Sequence, residues 1–316
     1  MENETPAPFE RSSSGAQLLI FLGLTGMSIF LLFVVMMLLQ MTGKVNLLLL
    51  QSPNAFSNPE VIQVLKFLQI ISSVIIFILP VAVLAFLVSR RRMEYLQINR
   101  IGKISILLLG GIVMFVAAPL INYLQEINSY LQLPQWMHGI EEWMKASEAQ
   151  DDALTVAFLN HQTFYDLILN LIMIALVAAV AEELFFRGVL QKILIKMTKN
   201  VHVGIWLTGA IFSAIHLQFY GFLPRMLMGV YLGYLLVWSG SLWVTIFAHF
   251  INNGTAVIFS YLEERKTITD SVEKVGTQAG DYWYIITSTL LVTLLLIAIY
   301  KLSGRKNEVV SEEFVP

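Results

Sequence analysis

The sequence contains no cysteine, which excludes disulfides, thiolate metal sites and cysteine nucleophiles. It is also poor in charge: Asp, Glu, Lys and Arg make up 13% of its 316 residues, against about a quarter in a water-soluble domain. A net charge of −2 and the lack of any polybasic stretch leave no field to hold nucleic acid, so that class of partner is excluded. There is no internal repeat, no low-complexity stretch beyond Ser12–Ser14 and no linker long enough to separate two domains. What the chain has in abundance is apolar surface. Hydrophobic residues account for 57% and the mean hydropathy is +0.71, gathered in uninterrupted blocks that lipid rather than water must solvate. The chain therefore reads as an integral membrane protein.

Windows long enough to cross about 30 Å of hydrocarbon at about 1.5 Å per residue predict eight helices, near 17–41, 61–88, 103–124, 163–196, 203–220, 222–239, 242–262 and 282–301. The fold class expected is all-α, a polytopic transmembrane helical bundle. It divides into an N-terminal tail (1–16), a membrane domain (17–301) with its functional core at 163–262, and a C-terminal tail (302–316). The first span is too long, and its leader too acidic, for a cleavable signal peptide. Lys and Arg beside the spans set orientation, because cytoplasmic loops carry the excess. Arg90, Arg91, Arg92, Arg100 and Lys103, then Lys192, Lys196 and Lys199, then Lys301, Arg305 and Lys306 all fall on one side. Both termini are thus expected in the cytoplasm, with the chain multi-pass in the cell (inner) membrane. The connection 125–162 lies opposite; with Pro134, Trp136, Trp143 and scattered acids it is expected to form an amphipathic helix on the outer surface.

An ionisable group in mid-bilayer costs about 2.5–3.5 kcal/mol even on the insertion scale, so such groups are functional candidates by default. Three spans carry them. The fourth holds Glu182, Glu183 and Arg187, the fifth Phe212-x-x-x-His216, and the seventh His249-x-x-x-Asn253. Glu183 and Arg187 are at i and i+4, on one helix face where they can pair, while Glu182 is turned about 100° away toward the bundle interior. His249 and Asn253 also share a face. Counted from the cytoplasmic boundaries, Glu182 and His216 lie about 21 Å deep and Asn253 about 18 Å, so the three can meet in one layer.

A glutamate and an imidazole sharing a water form a general base that can drive that water onto a peptide carbonyl. An asparagine and a second histidine are then donors to the oxyanion that develops. A zinc version of the site, with Glu182, His216 and His249 as ligands, uses the same residues. Cofactor use is therefore left between none and zinc, although no HExxH helix is present.

Glu182-Glu183-x-x-x-Arg187, Phe212-x-x-x-His216 and His249-x-x-x-Asn253, in that order on successive apolar helices between Ala181 and Asn253, resemble the CAAX-prenyl-protease and bacteriocin-processing family of intramembrane proteases. The resemblance implies an eight-helix fold with the site opening toward the cytoplasm, and cleavage near a substrate's C-terminus. It implies Glu182 as catalytic glutamate, His216 as the histidine sharing the water, and His249 and Asn253 as the oxyanion pair. Glu183, Arg187 and Phe212 are implied as supporting structure. The partner expected is a hydrophobic or lipidated peptide or protein, together with membrane lipid; the sequence specifies neither the substrate nor an oligomeric state.

The plainer alternative is a non-catalytic membrane scaffold or bacteriocin immunity factor that keeps the charged cluster for stability. A proton-coupled transporter would call for inverted repeats that are not evident. His138, His161 and His202 fall in or beside loops and are expected to be solvated; Asp166 and Asn170 are expected to be hydrated; Arg225 is expected to snorkel to the interface.

Overall fold

The computed structural model describes residues 6–43, 55–131, 133–160, 163–267, 274–278 and 280–304. Lys44, His161, Asp270, Arg305 and Lys306, along with most of the C-terminal tail, lie outside the described residues. Every regular element among those described is helical. In chain order they are α1 (Ser14–Met41), α2 (Pro59–Val88), a short α3 (Arg92–Tyr95), α4 (Ile104–Val116), α5 (Ala118–Ser129), α6 (His138–Leu159), α7 (Phe164–Thr198), α8 (Val201–Ala214), α9 (Phe222–Ser239), α10 (Leu242–Glu264) and α11 (Tyr282–Ser303).

Local chemistry sets the helix ends. Asn58 caps α2, with Pro59 in its first turn. Thr163 and Asp166 form a reciprocal capping box that starts α7. Gly240 and Gly304, at φ 64, end α9 and α11 in the left-handed conformation that glycine adopts without strain. Pro119 begins α5 and cannot donate a helical hydrogen bond, and α4 and α5 meet there at 47°.

Six helices, α1, α2, α7, α9, α10 and α11, are long and apolar enough to cross a membrane, or seven if the bent pair α4–α5 counts as one. The chain is a multi-pass membrane protein. The expected span 203–220 is the exception: α8 has 14 residues, a rise of about 21 Å, short of the hydrocarbon thickness. On the outside of α1, Leu19, Met27 and Phe30 are 73%, 70% and 68% exposed. Apolar side chains so uncovered are stable only against lipid.

The bundle has two distinct ends. At one, the basic connection 89–103 is tied to the α9–α10 turn: the Leu242 amide donates to the Gln97 carbonyl at 2.9 Å and the Ser241 hydroxyl to that of Arg100 at 2.7 Å. Lys103 reaches the Leu302 carbonyl at 2.6 Å, and Lys192 that of Tyr95. At the other end, Asn128 joins α5 to the α8–α9 turn by donating to the Phe219 carbonyl at 2.6 Å and accepting from the Leu223 amide at 3.2 Å. The amphipathic helix expected in 125–162 is α6, and it lies at this second end, where the Tyr220 amide donates to Glu148 at 3.2 Å.

Candidate active site

Three helices bring the candidate residues together. Within α7 the backbone passes from α-helix (Ala178–Glu183) to π-helix (Leu184–Leu190) just after the two glutamates, an irregularity often found at functional positions. The expected pairing is present: Arg187 Nη1 donates to Glu183 Oε1 at 2.7 Å, and both side chains are 0% exposed. Arg187 Nη2 also donates to the Gly229 carbonyl of α9 at 3.0 Å, while its guanidinium lies 4.7 Å from the centre of the Phe212 ring. That carbonyl is within reach because α8 and α9 are in close contact: a Cβ on Gly229 would sit 3.0 Å from the Gly209 Cα.

His249 connects the two acids. Its Nδ1 is 2.9 Å from Glu183 Oε1 and its Nε2 is 3.8 Å from Glu182 Oε2. A carboxylate oxygen accepts, so Nδ1 carries the hydrogen. Nε2 then donates toward Glu182 and the cavity only when the ring is doubly protonated. Phe212, 1% exposed, lays its ring edgewise to His249 and His216, with centroids 6.1 and 5.0 Å away.

His216 follows the end of α8. Its Nδ1 lies 2.7 Å from the Phe212 carbonyl oxygen; since that oxygen can only accept, Nδ1 is the protonated nitrogen and Nε2 keeps its lone pair. Asn253 on α10 donates one amide hydrogen to the Ile174 carbonyl at 3.0 Å and accepts from Asn252 at 3.1 Å. Its second amide hydrogen meets no acceptor among the described residues.

Glu182, His216, His249 and Asn253 all line one cavity of about 310 Å³, with Phe212 in its wall. Glu182, whose side chain is 17% exposed, faces this space, whereas Glu183 and Arg187 are sealed behind it. The zinc alternative fares differently. Among the described residues no three His, Asp or Glu side chains converge closely enough to hold a metal ion. The metalloprotease alternative is not supported.

Several expectations need correction. Arg225 does not snorkel away; it lines the cavity, with its guanidinium bonded to the Gln218 side chain and 3.4 Å from the Gln218 carbonyl. His202 is not simply solvated, because its Nδ1 meets the Tyr234 hydroxyl at 2.7 Å. Asn170 is fully buried and donates to the Phe158 carbonyl at 2.6 Å; Asp166, in the α7 cap, is partly exposed and needs no such correction. His138, in an exposed contact 3.7 Å from Glu142, behaves as expected of a surface histidine, and His161 lies outside the described residues.

Sequence reasoning missed the cavity mouth altogether. Gln125 of α5 and Glu148 and Asp152 of α6 line it. The i, i+4 spacing of the two acids on an amphipathic helix was the available signal. The cavity therefore opens at the α6 end of the bundle. From the charge pattern that end is the one expected outside the cytoplasm, whereas the resemblance implies a cytoplasmic opening.

Residues 164–255 match the family model described as "Type II CAAX prenyl endopeptidase Rce1-like". The chain is also 35% identical over 86 residues to a protein of Bacillus subtilis (strain 168) named "Uncharacterized protein YpbD", a match covering 26% of this chain and 41% of that relative. The chain thus spans less than half the length of that curated relative. No solved structure matches significantly. The family match runs from the start of α7 into α10 and contains all four cavity-lining candidates, so over that segment this membrane chain is similar to the Rce1-like type II CAAX prenyl endopeptidases.

Proposed function

We propose that the protein is an intramembrane endopeptidase of the cell membrane that hydrolyses a peptide bond in a membrane-associated or lipidated substrate, using water activated by Glu182 and His216 without a metal. One observation carries this reading: three helices turn a carboxylate, two imidazoles and an amide into a single polar cavity inside an otherwise apolar bundle.

The chemistry follows from the atoms. A water between Glu182 and His216 can donate one hydrogen to the carboxylate and the other to His216 Nε2, leaving an oxygen lone pair for the substrate carbonyl. As the oxygen attacks, its proton passes to Glu182 and charge gathers on the former carbonyl oxygen. The second amide hydrogen of Asn253 is suited to meet it, and so is His249 Nε2–H when that ring is cationic. On collapse the carbon–nitrogen bond breaks, and Glu182 returns its proton to the leaving amine. Glu183 and Arg187 take no part in these transfers; they hold His249 in orientation.

The test is cleavage by purified protein in lipid nanodiscs of a fluorogenic peptide series with and without a prenylated cysteine near the C-terminus. Glu182→Gln and His216→Ala should each lower the rate by about 10²–10⁴-fold, the range for a positioned general base, and a zinc chelator should leave the wild-type rate unchanged. Wild-type rates in both variants would end the proposal. A scaffold would instead keep its cellular phenotype in Glu182→Gln.

A further inference from the structure

We infer that Arg225 is the specificity-determining residue of the cavity and that it binds a carboxylate of the peptide to be cleaved. The inference rests on the protease reading above and adds to it the charge of the substrate.

The cavity is poor in positive charge. Glu182, Glu148 and Asp152 give its lining three acids, and Arg225 is the one Lys or Arg among the described residues that border it. A guanidinium presents five N–H donors in a fixed plane and is always charged. Two of the five go to a single residue, Gln218: Nη1 donates to its backbone carbonyl at 3.4 Å and Nη2 to its side-chain oxygen. The other three meet no acceptor among the described residues, and none of the ion pairs formed there includes Arg225. A half-buried arginine aimed into a cavity with no carboxylate bonded to it is held at a cost. Its planar fork matches the two oxygens of an incoming carboxylate in both shape and charge.

The acids of α6 do not take that place. Glu148 accepts the Tyr220 amide at 3.2 Å. Burial lifts the Glu148 and Asp151 carboxyls above the ordinary carboxylate range, in each case against the pull of Arg225, so these groups offset its charge poorly. Arg225 also stands in the first turn of the 18-residue α9, where the helix dipole adds to the attraction for an anion.

The guanidinium is tied to the reaction centre through the chain. Gln218 follows His216 by two residues, across the left-handed turn at Leu217 (φ 54). One short segment therefore presents the imidazole and fixes the guanidinium. A carboxylate seated on Arg225 anchors the peptide in the same cavity as Glu182 and Asn253. Anchoring at a distance from the scissile bond is what orients that bond for attack.

Three versions of one apolar peptide, each carrying an uncharged dye, test this and separate the two sources of a carboxylate: a free C-terminal acid, a C-terminal amide, and that amide with one internal aspartate. Binding is read by fluorescence anisotropy on the full chain in nanodiscs of neutral lipid, as Glu182→Gln, which the protease reading makes inactive. A carboxylate peptide should bind about ten- to a hundredfold more tightly than the uncharged amide, the range for a charge-assisted hydrogen bond. Preference for the free acid assigns the contact to the peptide's C-terminus, and preference for the aspartate peptide alone assigns it to a side chain. Adding Arg225→Gln should erase the preference and leave the uncharged amide bound as before, whereas Arg225→Lys should keep part of the preference. Equal binding of all three peptides overturns the inference. So does an Arg225→Gln variant that weakens charged and uncharged peptides alike, which is the outcome for an arginine with a structural role only. The comparison of peptides needs no substitution at Arg225, so it decides the matter should that variant fail to accumulate. Cleavage by the native chain that is indifferent to peptide charge sinks this inference alone, and charge-dependent binding without any cleavage sinks the protease reading alone.

Discussion

Replacing Arg187 by methionine tests the energetic core of the site. The substitution keeps an unbranched side chain of similar reach but removes three interactions: the 2.7 Å ion pair with Glu183, the 3.0 Å hydrogen bond to the Gly229 carbonyl and the guanidinium contact with the Phe212 ring. Polar contacts between membrane helices average only about 0.6 kcal/mol, because the membrane-unfolded state finds other partners. Removing one member of a fully buried pair costs about 3–5 kcal/mol, since the remaining charge is left without compensation. With both side chains at 0% exposure, the second regime should govern. Unfolding followed by tryptophan fluorescence, as dodecyl sulfate is titrated into mixed micelles, should show an equilibrium shift of between about a hundredfold and a few thousandfold. The double variant Glu183→Gln with Arg187→Met leaves no orphan carboxylate and should recover a large part of that loss, as coupled neighbours do. A loss below about 1 kcal/mol in the single variant, or a simple sum in the double, would refute the description of this pair as a desolvated ion pair.

Glu183→Gln and Glu182→Gln should separate stability from turnover: the first should lower the unfolding midpoint, whereas the second should keep the midpoint while losing peptide cleavage, measured side by side in nanodiscs. Gly229→Val should destabilise by about 1–3 kcal/mol through overpacking, because its Cβ would fall 3.0 Å from the Gly209 Cα and 3.3 Å from the Phe212 ring; the same titration reads it. At the cavity mouth, burial raises the Glu148 carboxyl above its ordinary range, with the nearby negative charge of Asp152 adding to this against the Tyr220 hydrogen bond. The folded state thus binds that proton more tightly. The resulting stabilisation of the α6 seat is full below the ordinary carboxylate value and is lost as pH rises through the raised one. Hydrogen-exchange protection factors across Phe219–Gly221 should fall with rising pH in the native chain and stay flat in Glu148→Gln.

Much of the architecture was legible because hydrocarbon imposes one strong requirement on long segments. The blocks around 17–41, 61–88, 163–196, 242–262 and 282–301 each coincide with a spanning helix to within a few residues. The prediction failed at 203–220, where apolar character and helix part company. The chain leaves α8 after Ala214, turns through Leu217 at φ 54 and makes a 3₁₀ turn at Phe219–Gly221. Phe219, Tyr220, Phe222 and Leu223 keep the hydropathy high across the break. In the site, i and i+4 spacing was enough to find the Glu183–Arg187 pair. The Asn253 amide turning to the Ile174 carbonyl, and Glu148 and Asp152 folding back over the cavity, depend on packing between segments far apart in the chain. No local pattern encodes such contacts.

Two adjacent carboxylates acquire different chemistry here from a rotation of about 100° along one helix. Glu183 points to the interface with α9 and α10, where Arg187 and His249 meet the same oxygen, Oε1, at 2.7 and 2.9 Å. It is fixed, charge-matched and closed to water. Glu182 points to the cavity, partly open, with His249 Nε2 at 3.8 Å as its nearest ion-pairing partner, beyond hydrogen-bond length. A general base needs that kind of looseness, because a proton acceptor already saturated by fixed donors has nothing left with which to bind a water. His249 links the two, since the hydrogen bond that orients its ring to Glu183 also aims its other nitrogen at Glu182. The costly buried cluster and the acid proposed as general base are therefore parts of one device. The first supplies the rigidity that keeps the second correctly placed inside a bundle whose remaining surfaces are hydrocarbon.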